Sequence, residues 1–391
     1  MRFDDITDWK KKCTGCSACE NICSQDAIKM TSCMDGFKYP SIEEHKCTHC
    51  GMCARVCSTN RTLDKIKCKS VYSAKAKDEH IRARGSSGGI IEILGNHIIS
   101  SHGIVYGAAF DSNSKCIKHC SSEKNGISPL LRSKYVQSEI GKTFRDIGKR
   151  LKQHDTVLFV GTPCQVRGLL AYLDEKKITG NLTTVDFFCH GVPSPGVFRN
   201  LLQMLEYKYH SNVVNVTFRE KEMGWRRPVT KFYFANKRIL SVESRKYFYF
   251  YFFVNNYILR DSCYMCQEYC SHRADITVAD YWNVPTEKDD DKGQSLVLLN
   301  TARGVTIWNQ ISNAVDFEMI DVNDFTYSIY SHERYDYSRK KIFMKAYHHS
   351  AFNSIRKGFF VKRYMIDTIN QKAQLSVHAC KKLIGLIGKG E

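Results

Sequence analysis

Residues 13–23 read CTGCSACENIC and residues 47–57 read CTHCGMCARVC, so the spacing C-x2-C-x2-C-x3-C occurs twice near the start of this chain. Three thiolates at this interval can hold three corners of one four-iron, four-sulfur (4Fe–4S) cluster, and the fourth, displaced by one more residue, reaches a second cluster. The doubled spacing therefore predicts two clusters with crossed ligands. We expect Cys13, Cys16, Cys19 and Cys57 to hold the first, and Cys47, Cys50, Cys53 and Cys23 to hold the second.

Zinc is the alternative metal for C-x-x-C pairs, but a zinc site closes with four ligands in two pairs and has no use for a doubled set of four. One feature departs from the bacterial two-cluster pattern: Ser24 and Ser58 follow the fourth cysteines, where that pattern has proline. Proline binds no iron, so no ligand is lost. Cys33 and Cys68 lie outside the pattern and are expected to be buried or free thiols.

Composition and charge limit the class of protein. The 391 residues are 43% apolar and 12% aromatic, enough for two or three folded domains. The net charge of +18 suits an acidic redox protein, an anionic small molecule or anionic lipid as partner. No nucleic-acid-binding module is recognisable, so nucleic acid is not expected. The N-terminus has no apolar signal segment, no run is long enough to span a membrane, and the cysteines have metal-ligand spacing, which together predict a reducing cytoplasm.

Beyond residue 84 the pattern predicts alternating strands and helices, then mainly strands after Val213. Residues 69–84 are polar and basic and are predicted to be a linker or an arm that lies over the next domain. The predicted strands cover 104–110, 156–161, 184–191, 215–219, 229–236, 238–244, 274–282 and 294–300, and the predicted helices cover 90–99, 140–153, 165–176 and 195–209. The basic tail is predicted to be partly helical. Apolar and basic residues alternate in FFVKRYMI and KKLIGLIG, a pattern that fits an interfacial anchor or, more commonly, a helix packed on its own domain.

The turn GSSGG at residues 85–89 precedes a predicted helix. Backbone N–H groups and the helix dipole at such a turn suit a phosphate, such as that of a flavin. The alternative is an ordinary helix start.

A second group of cysteines follows predicted strands. Cys164, in GTPCQ, and Cys189, in FFCHG, each come directly after a buried strand, at the sheet edge where open α/β folds place their ligands. Cys263 and Cys266 form a C-x-x-C pair. We predict that these four hold a third cluster; Cys270 is a competing ligand that could replace Cys164 or Cys189. An isolated buried cysteine is more often a small apolar residue.

Two aromatic stretches accompany these cysteines. Residues 218–228, FREKEMGWRRP, gather arginines and a lysine around Trp225, which suits a phosphate and a planar ring; solvated charges beside a half-buried tryptophan are the alternative. The run YFYFYFF at residues 247–253 is predicted to lie in the core.

The chain resembles the coenzyme F420 hydrogenase/dehydrogenase beta subunit family, in a bacterial single-chain form with a fused N-terminal ferredoxin domain. The resemblance runs from about Thr14 to Val284 and rests on SSGG, SKYVQS (133–138), GTPCQVRGL (161–169), CHGVPSP (189–195), FREKEMGW, CYMCQ and RADITVADYW (273–282), in that order. Cys270 and the basic tail depart from the archaeal subunits, which puts use of the deazaflavin coenzyme in doubt.

The resemblance implies an α+β chain with four parts. These are a two-cluster ferredoxin domain (1–70), an α/β flavin-binding part (71–178), an iron–sulfur C-terminal part (179–325) and the basic tail (326–391). It also implies FAD or FMN, with contacts near Ser87, Gly88, Gly89, Lys134 and Tyr135.

The activity implied is that of an oxidoreductase passing electrons between clusters and a flavin, which exchanges hydride with an unidentified substrate. Some bacterial members are associated with surface-polysaccharide synthesis. The implied partners are a ferredoxin or another redox protein, or a partner enzyme subunit. A non-catalytic electron-transfer subunit is the alternative interpretation.

Overall fold

The computed structural model describes residues 2–60, 68–266, 272–321 and 336–349. The chain divides into two compact units, Met1–Tyr337 and Ser338–Glu391. Of the second unit, the structure describes only helix α11 (Tyr337–His349), which begins one residue before that unit. Cys270 and the two amphipathic stretches of the tail lie outside the described residues.

The N-terminal part of the first unit is built from short elements around the cysteine loops. They are α1 (Trp9–Lys12), α2 (Ala18–Ile22), the antiparallel hairpin β1 (Ile28–Ser32) and β2 (Lys38–Ile42), and α3 (Met52–Arg55). Ser17 and Gly51 precede α2 and α3 with left-handed backbone, φ 59° and 74°. Each cysteine loop can therefore turn sharply into its helix.

An eight-stranded sheet forms the centre of the first unit, in the order β13-β3-β12-β11-β7-β6-β4-β5. Its strands are β3 (Ser70–Ala76), β4 (Ile104–Asp111), β5 (Cys116–Ser121), β6 (Val157–Val160), β7 (Leu182–Phe187), β11 (Ile276–Asp280), β12 (Ser295–Leu299) and β13 (Val315–Ile320). Strands β4, β6, β7 and β11 are parallel, and β3 runs in the same direction because β12 is antiparallel to both β11 and β3. The carboxyl ends of five strands therefore meet at one edge.

Helices cover both faces of this sheet. They are α4 (Glu79–Arg84), α5 (Ile90–Ser100), α6 (Thr143–Lys152), α7 (Pro163–Glu175), α8 (Pro195–Tyr209) and α10 (Ala302–Ile311). Along β6, Leu158 packs into the core cluster that holds α5 and α10, whereas Val157 and Phe159 pack into the cluster that holds α6 and α7. Side chains that alternate between two covered faces are characteristic of an α/β layer structure. Ala18 and Ile22 of α2 share the second cluster, so the N-terminal part packs directly on the α/β core.

A second, three-stranded antiparallel sheet consists of β8 (Val213–Glu220), β9 (Val229–Phe234) and β10 (Ile239–Glu243). Helix α9 (Phe248–Val254) follows it, and most of its aromatic side chains are buried. The prediction that residues 247–253 belong to the core is confirmed.

The prediction of a linker at residues 69–84 is wrong, because this segment forms β3 and α4. Strand β3 lies between β12 and β13, whose residues come more than two hundred positions later in the chain. SVYSAKA has too few large apolar residues to predict a buried strand by itself. The predicted helix at 195–209 is confirmed with the same bounds. The boundary between residues 178 and 179 stays a prediction; it falls between α7 and β7, both of which belong to the large sheet layer. No helix in the described part has both the length and the apolar character needed to cross a membrane.

Candidate functional site

The structure brings together the first predicted set of cysteines. Cys13, Cys16, Cys19 and Cys57 line one cavity, and Phe3, Trp9, Met30 and Pro40 close its sides. Burial raises the pKa of the Cys19 thiol well above its usual value, and the neighbouring thiolates of Cys13, Cys16 and Cys57 raise it further. Cys57 comes from the second motif, so the fourth thiol crosses over as the spacing predicts. Four thiols around an apolar cavity fit a 4Fe–4S cluster.

The second predicted set lies closer to the surface. Cys23 and Cys53 share an apolar cluster with Phe3 and Ile28, and Cys50 is exposed. Burial raises the pKa of Cys53, and the neighbouring Cys50 thiolate adds to that rise. Cys19 and Cys57 pack against the same apolar cluster, so the two sets lie side by side.

The third predicted set gathers at the carboxyl edge of the large sheet. Cys164 lies in the first turn of α7 after Thr162, whose amide donates to Gln165 Oε1 at 3.0 Å, and Cys189 follows the end of β7. Burial raises the pKa of Cys189 well above its usual value, and the thiolates of Cys263, Cys164 and Cys266 contribute to the rise. A Cβ at Gly191, two residues after Cys189, would lie 3.3 Å from the Cys263 Cβ, so the turn after β7 lies against the C-x-x-C pair. Their grouping fits a third cluster.

Among the described residues no three His, Cys, Asp or Glu side chains converge as they would on a single metal ion. A four-iron cube sets its thiolates further apart than one tetrahedral ion does, so this observation concerns single ions and not clusters.

Helix α7 connects the first and third cysteine sets. It carries Cys164 in its first turn, and one turn further along Gly168 lies against the first set. A Cβ atom at Gly168 would come within 2.9 Å of both Cβ and Sγ of Cys16. The absence of a side chain at Gly168 therefore lets the helix backbone touch a cysteine of the first set.

The GSSGG turn lies at the same sheet edge as the third cysteine set. Gly89 has φ +85° and begins α5, as the sequence predicts. The amide of Gly88 donates to Ser295 Oγ at 2.9 Å, and the Ser87 hydroxyl donates to the Gln294 carbonyl at 2.6 Å. A Cβ at Gly88 would lie 2.4 Å from the Ala74 carbonyl oxygen, so close packing on β3 requires glycine there.

Lys134 and Tyr135, the other predicted flavin contacts, lie beside this turn. The amide of Ser133 donates to Ser86 Oγ at 2.7 Å. This hydrogen bond connects residues 133–135 to the GSSGG turn. Lys134 Nζ donates to the carbonyls of Leu131 and Arg132, and burial lowers the pKa of Lys134 to about 7. The structure thus brings the predicted flavin residues to one place.

The aromatic ring of Tyr135 is surrounded by other aromatic rings. It packs against those of Phe218, Phe250 and Phe253, with centroids 5.2–5.7 Å apart. Such packing fixes the orientation of its ring at the edge of the site.

Arg219 and two stacked tryptophans complete this edge. Trp225 and Trp282 are parallel with ring centroids 4.4 Å apart, and the Arg219 guanidinium lies 5.4 Å from the Trp282 ring. Arg219 is 4% exposed, forms an ion pair with Asp280 at 3.0 Å and donates to the Ser86 carbonyl at 3.0 Å. Trp225 is 1% exposed, so the alternative interpretation, solvated charges beside a half-buried tryptophan, is wrong for Trp225 and Arg219.

Lys221 connects the GSSGG turn to neighbouring backbone segments through hydrogen bonds. Its Nζ donates to the carbonyls of Arg82, Ser87 and Lys292 at 2.6–2.8 Å. Burial, together with the nearby Arg82 and Arg219 charges, lowers the pKa of Lys221 to about 7. Both lysines of this site can therefore lose a proton near neutral pH.

Asp280 and Trp282 were not among the predicted site residues. Val278 of β11 pairs with Phe187 of β7, so Asp280 and Cys189, each two residues further on, reach the same edge. The detectable signal is their position after a buried strand, the same signal that identified Cys164 and Cys189.

Two buried donors at this edge fit a bound ligand. Arg219 Nε and Trp225 Nε1 have no hydrogen-bond acceptor in the part of the chain that the structure describes. Buried donors are almost always satisfied in folded proteins, so a polar ligand atom is the natural acceptor for them.

The cysteine sets define an iron–sulfur electron-transfer protein of the oxidoreductase class. Comparisons with known proteins agree. Residues 12–61 match the model of the 4Fe-4S dicluster domain, and residues 154–324 match that of the C terminus of the coenzyme F420 hydrogenase/dehydrogenase beta subunit. The chain therefore carries the C-terminal domain of the coenzyme F420 hydrogenase/dehydrogenase beta subunit family, with a 4Fe-4S dicluster domain fused at its N-terminal side.

One similar solved structure is the xenon-derivatized F420-reducing [NiFe] hydrogenase complex from Methanosarcina barkeri. It is 18% identical with a TM-score of 0.47, and the match covers 72% of this chain and 90% of the other. No curated protein matches this chain.

Proposed function

We propose that this protein is a flavin- and iron–sulfur-dependent oxidoreductase that passes electrons between its N-terminal clusters and a flavin at the carboxyl edge of the sheet. The proposed path has three stages. Electrons pass from the cluster of Cys47, Cys50, Cys53 and Cys23 to that of Cys13, Cys16, Cys19 and Cys57, and then to a third cluster on Cys164, Cys189, Cys263 and Cys266.

One observation carries this proposal: α7 lies against Cys16 and also holds Cys164. Electron transfer requires short distances between redox centres, and a single helix turn separates these two contacts. A dicluster domain packed on the same core as α6 and α7 keeps that distance fixed.

The flavin is proposed to lie between the GSSGG turn and the Trp225–Trp282 stack. When bound, a flavin accepts two electrons as hydride and releases them one at a time. Arg219 would direct its free Nε toward a polar ligand atom. Tyr135 would present its ring to the flavin. Ser87 and Gly88 would keep the turn in place through their hydrogen bonds to Gln294 and Ser295 at the start of β12, and Gly89 supplies the left-handed backbone before α5.

The charges around the site favour an anionic substrate or carrier. Arg219 carries a fixed positive charge beside the turn, where it is paired with Asp280. Lys134 and Lys221, whose pKa values are lowered to about 7, would become fully protonated when an anion binds next to them. A phosphorylated sugar in surface-polysaccharide synthesis fits this charge, as the family resemblance suggests.

Anaerobic purification with iron, sulfide and flavin quantification tests the proposal. We expect about twelve irons per chain, from three four-iron clusters, and one flavin. Eight irons and a failure to bind added flavin would refute it. The variant Cys189→Ser is a useful companion, because it should remove about four irons and leave the dicluster spectrum intact.

A non-catalytic electron-transfer subunit is the second candidate, and the match to a beta subunit model favours it, because a subunit works within a larger enzyme. In that case the purified chain would reduce no dye or carrier alone. Activity would appear only when a co-purifying partner is added back.

A further inference from the structure

Arg260 is a buried cation between the first and third cysteine sets. It is 1% exposed. Its Nε donates to the Cys13 carbonyl at 2.7 Å, and one Nη lies 3.5 Å from Cys13 Sγ. The amide of Cys263, three residues later, donates to the Arg260 carbonyl at 2.9 Å. The same residue thus touches a ligand of the first predicted cluster and holds the turn that carries a ligand of the third.

The charge of Arg260 is not balanced by a carboxylate among its hydrogen-bond partners in the described part of the chain. Those partners are the carbonyls of Cys13 and Lys38, the side-chain oxygen of Gln137, and Cys13 Sγ. A buried cation is costly unless an anion lies nearby, and here the thiolates supply that charge.

The surroundings hold the guanidinium in one orientation. It lies over the rings of Tyr39 and Phe37, 4.2 and 5.3 Å from their centroids. Gln137 braces the same loop by donating to the Thr14 carbonyl at 2.8 Å. Gly15, with φ +70°, leaves room for it, because a Cβ there would lie 2.8 Å from an Arg260 Nη atom.

We propose that Arg260 sets the reduction potential of the first cluster, acting as a positioning residue through its charge beside Cys13. A cluster becomes more negative when it takes up an electron, and a nearby cation stabilises that state. A hydrogen bond to a ligating sulfur acts in the same direction. Arg260 therefore makes the first cluster easier to reduce and favours the transfer of electrons onto it from the second cluster. The proposal rests on the proposed electron path, but not on the flavin.

Potentiometric titration of the full-length protein, followed by electron paramagnetic resonance, tests this role in two variants. Arg260→Gln removes the charge, and Arg260→Lys keeps it. For Arg260→Gln we expect the ratio of reduced to oxidised first cluster at a fixed potential to fall at least about tenfold, which for one electron is about 59 mV. For Arg260→Lys we expect the ratio to stay within about threefold of wild type, or about 30 mV for one electron.

Two controls identify the effect. Cys16→Ser assigns the signal of the first cluster, because it should remove that signal and leave the second. Arg55→Gln removes a surface arginine that donates to the Cys50 carbonyl and is paired with Glu175 at 2.8 Å. It should leave the first cluster's titration unchanged because water and Glu175 screen its charge.

Each other outcome overturns the proposal. An unchanged titration in Arg260→Gln means that the charge has no effect. If Arg260→Gln loses the iron, the Arg260→Lys variant decides the matter. Loss of iron in Arg260→Lys as well means that Arg260 has a purely structural role. Retained iron with a tenfold fall in the ratio of reduced to oxidised first cluster means that the geometry of the guanidinium group matters and its charge does not. A protein that lacks flavin but shows the expected shifts would refute the proposed function and leave this inference standing.

Discussion

Gly168 offers a direct test of the contact between α7 and the first cysteine set. The substitution Gly168→Ala adds one methyl group at a place where its carbon would lie 2.9 Å from Cβ and Sγ of Cys16 and 3.4 Å from a ring carbon of Phe144. Carbon atoms pack best at about 3.5–4.0 Å, so the helix or the cysteine loop must move by roughly 0.6 Å. Neither Cys16 nor the helix backbone can turn away as a long side chain would.

The expected cost follows from two opposing effects. Overpacking of this kind costs about 1–3 kcal/mol, whereas alanine in a helix interior is about 1 kcal/mol better than glycine. We therefore expect the free energy of unfolding to fall by about 1 kcal/mol. We also expect reduced occupancy of the first cluster, because Cys16 is one of its predicted ligands.

Gly95→Ala in α5 is the matched control. Its Cβ would meet Cδ1 of Ile127, the far end of a flexible side chain that can change rotamer. Urea unfolding of the iron-free proteins and iron counts of the anaerobically purified proteins measure both variants. If Gly168→Ala retains full iron and unfolds at the same urea concentration as wild type, the close approach of α7 to Cys16 is refuted, and with it the main support for the electron path.

Three further predictions concern the cluster ligands, acid stability and flavin binding. Cys57→Ser should remove the signal of the first cluster and about four irons while the second cluster's signal survives, and loss of the second signal instead would disprove the crossed ligands. Burial raises the pKa of Asp290, but the hydrogen bonds from the buried Arg82 lower it more, to about 2. The stabilisation from Asp290 is therefore full above about pH 4 and is lost as the pH falls toward 2. Asp290→Asn should lower the free energy of unfolding by about 2 kcal/mol at pH 7, a value reduced because Asp290 is partly exposed, and the difference should shrink in acid urea titrations; a constant difference would contradict this. Arg219→Gln should lower flavin content at least about tenfold with unchanged iron, since a charged hydrogen bond contributes about 1.5–3 kcal/mol; equal flavin content would exclude Arg219 as a contact.

The strongest sequence signals were local in the chain. The spacing of Cys13 to Cys23 and of Cys47 to Cys57 predicted a two-cluster domain, because metal ligands a few residues apart define their own loop. The helix at 195–209 was equally local, with Ser194 and Pro195 at its start and apolar residues at helical spacing. Both features need few contacts from elsewhere in the chain.

Contacts between distant parts of the chain were harder to predict. The polar, basic composition of residues 69–84 predicts a linker or an arm, yet this segment contains the strand β3, which pairs with β12 and β13 on its two sides. Arg260 had no signal at all, since a single arginine before a C-x-x-C pair is common and its partners Cys13 and Gln137 are far away in sequence.

The sequence by itself determined that this chain has cysteine loops for two clusters, that an α/β core follows them, and that residues 154–324 form the C-terminal domain of the coenzyme F420 hydrogenase/dehydrogenase beta subunit family. The tertiary structure alone decided which of these parts touch. Gly168 approaches Cys16, Arg260 reaches Cys13, and Arg219 lies with the two tryptophans beside the turn. The reason is physical: ligand spacing and helix caps act between near neighbours in the chain, whereas packing and buried charge depend on which surfaces the whole fold brings together.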